Sequence, residues 1–170
     1  MVTAGMKLKD AYFLEGCKDI LVAALVVGLA GGIIIILEEG HIIDTILFAV
    51  AESMQDAGRI GSTATMYVMQ NLLNLIIPSG SAKAALTIPM MAEWSDLMEI
   101  PRQLTVLAFQ FGDGFTNMIT PTSGVLIGVL GVARIPYATW FKFIWKFLLV
   151  LIVLGFLLLL PPLFMPFAGF

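Results

Sequence analysis

Two short polar phrases interrupt an otherwise apolar chain, and their residue types are those that handle small ions. The first is Asn74-Leu75-Ile76-Ile77-Pro78-Ser79-Gly80-Ser81, and the second is Asn117-Met118-Ile119-Thr120-Pro121-Thr122-Ser123-Gly124. Each reads Asn, three residues, Pro, a hydroxyl residue, then a Gly/Ser pair. Proline cannot continue a helix and disfavours helical geometry in the residue before it. The Ser/Thr/Gly cluster that follows supplies helix caps and permissive backbone. Pro78 and Pro121 therefore mark two helix breaks. A single phrase of this kind also fits a plain kink, but paired breaks in a membrane chain point to a transport site.

A half-helix that begins inside a membrane turns unpaired N–H groups and a positive dipole end toward its surroundings. Ser79, Gly80 and Ser81 would begin one, and Thr122, Ser123 and Gly124 the other. Two such ends suit an anion such as a substrate carboxylate. The preceding half-helices, ending near Asn74 and near Asn117 to Thr120, would offer carbonyl and carboxamide oxygens to a desolvated Na⁺. Asp113 is the one acid inside a predicted span. Burying its charge is unfavourable by roughly 2.5–3.5 kcal/mol on insertion scales, which makes it a candidate for cation or proton coupling. Its alternative is a carboxylate that caps a break at Gly112 and Gly114. Lys83, just past the first break, would meet an anion, snorkel, or pair with an acid. His41, beside Glu38, Glu39 and Asp44, reads as a metal or proton site or, more simply, as a solvated polar turn.

The composition says where these groups must sit. Of 170 residues, 59% are hydrophobic and 12% charged, with mean hydropathy +0.99. Soluble domains average about 45–50% apolar and 25% charged, so this is an integral membrane protein. The net charge of −3 comes with no basic patch, which argues against nucleic acid as a partner. The lone Cys17 excludes an internal disulfide and a cysteine metal cluster. No Ser/His/Asp arrangement, H-E-x-x-H or P-loop is present, so no enzyme is expected and no cofactor beyond a coupling Na⁺ or H⁺.

The expected fold is all-α: spanning helices, a re-entrant helical hairpin and a discontinuous helix, together forming one repeat of an inverted-repeat transporter. Residues 1–19 are mixed polar sequence and read as a cytoplasmic loop or linker. Residues 20–37 lack charge and form a spanning helix, with Gly28 and Gly32 as a small-residue packing face. In 41–58, Ile42, Ile43, Ile46, Leu47, Val50 and Met54 recur at helical spacing, as in an amphipathic helix at the interface or under other helices. Residues 60–92 form the hairpin, with its tip at 78–81; the eleven residues Ala82 to Ala92 are too few to cross about 30 Å of hydrocarbon. A polar loop follows, with Glu93, Asp96 and Glu99. The discontinuous helix covers 102–133 and is broken at 112–124. Residues 134–146 carry Tyr137, Trp140 and Trp145 with Lys142 and Lys146, an interfacial belt. Residues 147–162 form the last span, stopped by Pro161 and Pro162, and 163–170 a tail. Lys7, Lys9, Lys18, Arg134, Lys142 and Lys146 would lie in the cytoplasm, Arg59 and Arg102 running against that count.

At these residues the chain resembles the C4-dicarboxylate anaerobic carrier family, in particular its YfcC-type members. The resemblance is carried by Pro78 to Ala82, by Arg102 to Asn117 (RQLTVLAFQFGDGFTN) and by Pro121 to Gly124, and it weakens after Phe147. It implies membership of the ion transporter superfamily, whose carriers are dimers with a scaffold and a moving transport domain, built from two inverted repeats. Each repeat supplies one re-entrant hairpin and one broken helix. The superfamily's Ser-Asn-Thr hairpin signatures bind carboxylate and Na⁺; here the tip reads Pro-Ser-Gly-Ser, with Asn74 four residues before the proline. The chain resembles the second repeat, so a missing amino-terminal repeat, a full-length homodimer and a multi-pass position in the cytoplasmic (inner) membrane are expected. The expected function is secondary transport of a carboxylate-bearing metabolite, a C4-dicarboxylate or similar, coupled to Na⁺ or H⁺. Alternatives are a basic amino-acid antiporter of arginine/ornithine type, or a chain inactive without its other half.

Overall fold

A computed structural model describes the backbone of residues 2–54 and 57–165, and side chains in the same stretches except 2–11 and 19. The described residues form seven helices: α1 (Val2–Glu39), α2 (Ile42–Met54), α3 (Gly58–Ile76), α4 (Gly80–Leu97), α5 (Arg102–Thr116), α6 (Gly124–Ala133) and α7 (Tyr137–Phe164). Two helices among them are long and apolar enough to cross a membrane, Tyr12–Glu39 of α1 and Tyr137–Phe164.

Several boundaries move from their expected places. Helix α1 begins at Val2, so the stretch read as a loop or linker is helical. Mixed polarity hid it, yet Lys, Leu, Glu and Ala are all good helix formers. Helix α4 has 18 residues and rises about 27 Å. Glu93 to Asp96, expected in a loop, are its last turns, and Trp94 and Ser95 are buried. The length argument for a hairpin that turns back therefore falls, and the polar break between α3 and α4 remains. The last two expected segments fuse into one helix of 28 residues, with Pro161 and Pro162 inside its final turn rather than stopping it. Of the expected amphipathic segment, Ile43, Leu47 and Met54 are buried, while Gln55 and Asp56 lie outside the described residues, as do Met1 and residues 166–170 of the tail.

Helix α3 is the spine of the packing. It lies along α5 for most of its length and touches α2, α4 and α7. Its buried face holds Met66, Tyr67, Met69 and Leu73, joined by Leu104 and Ala108 of α5, Met91 of α4 and Leu159 of α7. Gly112 of α5 explains the closeness of α3 and α5. A Cβ there would lie 2.9 Å from the backbone carbon of Gln70, so only glycine admits this approach. The expected break starts at Gly112, yet α5 runs through Gly112 and Gly114 to Thr116. The break is 117–123 instead.

The small-residue contact with α1 also differs. Gly28 and Gly32 have nothing within 4 Å of a would-be Cβ. The close pair is Gly124 and Gly128 of α6, packed on Val27 and Ala23 of α1. Elsewhere, Tyr67 of α3 donates its hydroxyl to the Ile152 carbonyl of α7 at 3.0 Å. Tyr67→Phe is expected to lower stability by about 1 kcal/mol in thermal unfolding, by removing this bond between α3 and α7. An unchanged midpoint would mean the bond contributes nothing.

Candidate ion and substrate site

The two breaks end and restart their helices by the same cap. Ser79 is the N-cap of α4, and its Oγ accepts from the Ala82 N–H at 3.4 Å. Ser123 is the N-cap of α6, and its Oγ accepts from the Leu126 N–H at 3.5 Å. Both serines are extended, with ψ of 109° and 108°, as N-caps are. The caps align Ser79 with Ser123 and Gly80 with Gly124, one residue out of step with the Asn and Pro positions. The first break is the three residues 77–79, the second the seven residues 117–123. Asn74 accordingly sits inside α3, whereas Asn117 is the C-cap of α5.

Around the first break the structure assembles a charged cluster. Lys83 of α4 is fully buried. Its Nζ donates to Asn74 Oδ1 at 2.9 Å and lies 3.3 Å from Asp113 Oδ1. It also stands 4.4 Å from the centroid of the Phe109 ring, a cation–π distance. Asn74 Nδ2 donates in turn to the Asp113 carbonyl at 3.4 Å. The Asp113 carboxylate lies against the start of α4, where a Cβ on Gly80 would be 3.3 Å from both its oxygens. The anion at this helix N-terminus is thus the chain's own, in the place expected for a substrate carboxylate, and the helix dipole favours its charge. Of the options open for Lys83, the structure shows pairing with an acid.

The second break is less charged. Thr120 Oγ1 donates back to the Thr116 carbonyl at 2.7 Å, and the Thr120 carbonyl accepts from Ser123 N–H at 3.1 Å. Two of the three carbonyls between them are taken by α7: Trp140 Nε1 donates to Met118 at 2.8 Å, and the Tyr137 hydroxyl to Ile119. Tyr137 and Trp140, read from sequence as an interfacial belt, hold this break in shape. Asn117 Oδ1 and Thr122 Oγ1 remain buried with no hydrogen-bond partner. Buried polar atoms are normally paired, so these two oxygens are the unfilled acceptors of the break.

A cavity of about 360 Å³ joins the two breaks. Pro78 and Ser79 lie on one side, Thr122, Ser123 and Gly124 on another, and Val27, Ala30 and Gly31 of α1 form the wall. Ser81 is outside it; exposed, it hydrogen-bonds Ser79 at 3.3 Å. Asp113, Lys83 and Asn74 lie behind the first break rather than in the cavity lining. Pro121 is exposed. His41 stands apart, its Nδ1 3.0 Å from Asp44 Oδ2 on an exposed turn; among the described residues no cluster of three metal-ligating side chains forms.

Sequence reasoning missed Lys83's partners, Phe109, and the two α7 donors. Lys83 carried one visible signal: it is the only charged residue between Arg59 and Glu93.

Comparison with known proteins points to a membrane transporter. The family model described as DcuC, C4-dicarboxylate anaerobic carrier, matches residues 4–162. The Escherichia coli (strain K12) protein YfcC, whose name provisionally makes it a basic amino acid antiporter, is 39% identical over 135 residues, 76% of this chain and 27% of its own. An uncharacterized protein of Haemophilus influenzae (strain ATCC 51907 / DSM 11121 / KW20 / Rd) is 32% identical over 166 residues, 94% of this chain and 31% of its own. The chain thus spans less than a third of the length of the curated relatives it matches. No solved structure matches it.

Proposed function

Since the chain belongs to the C4-dicarboxylate anaerobic carrier family, we propose that it is the carboxyl-terminal repeat of a secondary active transporter for a carboxylate-bearing metabolite, coupled to Na⁺ or H⁺. The observation that carries this reading is the shared cavity: two helix starts, capped by Ser79 and Ser123, border one space. With the α4 start already set against the Asp113 carboxylate, the α6 start at Thr122 to Gly124 is the one left to take a substrate anion without a free lysine. Ser79, Thr122, Ser123 and Gly124, which line that space, are the substrate-side residues, and Gly80 and Ser81, next to Ser79 in the chain, join them from outside the lining. Asn117, with its unpaired Oδ1, and Thr120 serve the coupling cation, and Asp113 with Asn74 governs the charge balance beside it.

In this reading α3 and α4 form a re-entrant hairpin, irregular backbone being tolerated at membrane depth where protein or a water-filled cavity surrounds it. An amino-terminal repeat of inverted orientation completes the site, two full-length chains pair as a homodimer, and the protein is multi-pass in the cytoplasmic membrane. The name of the E. coli relative favours a second reading, a basic amino-acid antiporter. An amino acid also brings a carboxylate, so both readings use the same helix start.

Thermal unfolding of the purified chain in detergent separates them. Succinate and arginine are titrated separately, each in Na⁺ and in K⁺; a ligand that binds only the folded state raises the midpoint by mass action. A succinate shift supports the dicarboxylate reading, an arginine shift the antiporter reading, and a shift only in Na⁺ identifies the coupling ion. Ser81→Ala is expected to leave the unliganded midpoint alone, since Ser81 is exposed, and to reduce the ligand shift. An undiminished shift removes Ser81 from the site.

A further inference from the structure

We propose that the Lys83 ammonium is a resident cation: it fills with its own side chain a cation site formed by Asn74 and Asp113, so this site takes no free Na⁺. The inference deepens the transporter reading, and its test reads cation binding rather than substrate binding, so the two fail separately.

The surroundings of Nζ are those of a bound cation. A carboxamide oxygen at 2.9 Å, a carboxylate oxygen at 3.3 Å and an aromatic face at 4.4 Å enclose it. The ligands come from two helices, α3 (Asn74) and α5 (Phe109 and Asp113), and the ammonium from a third, α4. Lys83 is wholly buried, whereas the side chain of Asp113 keeps 23% of its exposure. A snorkelling lysine would show the reverse, with its ammonium reaching water. The charges balance within the cluster, one ammonium against one carboxylate. A Na⁺ entering the same oxygens would meet a like charge at contact distance. It would also leave a net positive charge in a site largely shut off from water.

The oxygens also match the sequence expectation for Na⁺. Asn74 and Asp113 supply hard ligands, the type that a desolvated alkali cation needs. The ammonium meets the same oxygens, donating a hydrogen bond to Asn74 and pairing its charge with Asp113. Tethered to α4, it never leaves, and the break keeps its shape whatever salt surrounds the protein. The unpaired Asn117 Oδ1 and Thr122 Oγ1 of the second break are then the oxygens left open to a mobile cation.

The test is thermal unfolding of the purified chain in detergent, in chloride salts of K⁺, Na⁺ and n-propylammonium at one ionic strength. Lys83→Ala removes three methylenes and the ammonium, the atoms that n-propylammonium restores. Lys83→Ala is expected to melt lower than wild type in K⁺ and to regain about 5 °C or more in n-propylammonium. Wild type, and Lys83→Ala combined with Asp113→Asn, should show no such gain. Two results overturn the proposal: Lys83→Ala unresponsive to the amine, or a wild-type Na⁺ shift that Asp113→Asn abolishes. If Lys83→Ala does not fold in K⁺, refolding it in n-propylammonium decides the matter. A folded species only in the amine supports a vacated cation site; aggregation there as well overturns it.

Discussion

Gly112→Ala is expected to destabilise the chain by about 1–3 kcal/mol, while Gly114→Ala, two residues on, stabilises it by up to about 1 kcal/mol. Both glycines lie in the last turns of α5. Alanine in a helix interior gains over glycine because it gives up less backbone freedom. At Gly114 nothing lies within 4 Å of the added methyl, so that gain is kept. At Gly112 the methyl would stand 2.9 Å from the Gln70 backbone carbon and from Gln70 Cβ, and 3.1 Å from the Asn71 nitrogen. Backbone atoms cannot rotate aside, so α3 and α5 must separate along their shared face. That movement would also pull Asn74 from the Asp113 carbonyl. Gly124→Ala meets a side chain rather than backbone, a Val27 methyl, and relieving that contact needs a shift of α1 against α6 because a helical valine is held in one rotamer. Thermal midpoints of the three variants check the order. If Gly112→Ala stabilises as Gly114→Ala does, the close approach of α3 and α5 is wrong.

The same glycine shows where the sequence stopped being legible. Glycine marks a broken helix and a tight helix contact alike, and only the partner helix decides which. Gly112-Asp113-Gly114 looked like a break because the neighbour of Gly112 is Gln70, far away in sequence. The Asn-to-Pro spacing, by contrast, announced both breaks, since proline acts on its own local backbone. It could not fix their widths. The second break is wider because Tyr137 and Trp140 of α7 hold its carbonyls open, and no local pattern encodes that. The stripe of α2 was readable because burial follows helical period; Ile42, half on the stripe's edge, is 42% exposed. Helix α1 was misjudged at its start, where helix propensity and hydrophobicity disagree.

Lys83→Met and Asp113→Asn are each expected to lower stability by about 3–5 kcal/mol in K⁺ buffer, and the double variant to return close to wild type. Each single change leaves a charged or polar partner without compensation in a site with little water. Lys83→Met strands the Asp113 carboxylate beside Asn74, with only the start of α4 to favour its charge. Asp113→Asn leaves a fully buried ammonium with a carboxamide oxygen at 2.9 Å and an aromatic face. Removing both charges removes both penalties, and methionine fills the methylene path of lysine. A double-mutant cycle in thermal unfolding measures the coupling directly, because the two groups are in contact and must depart from additivity. Additive losses would mean the pair does not form in solution. Thirty residues separate Lys83 from Asp113 in the chain, so the pairing depends on α4 and α5 meeting behind the first break. The cycle therefore tests that meeting as well as the charge pair, and the neutral double variant is the form in which any loss of ligand response cannot be blamed on unfolding.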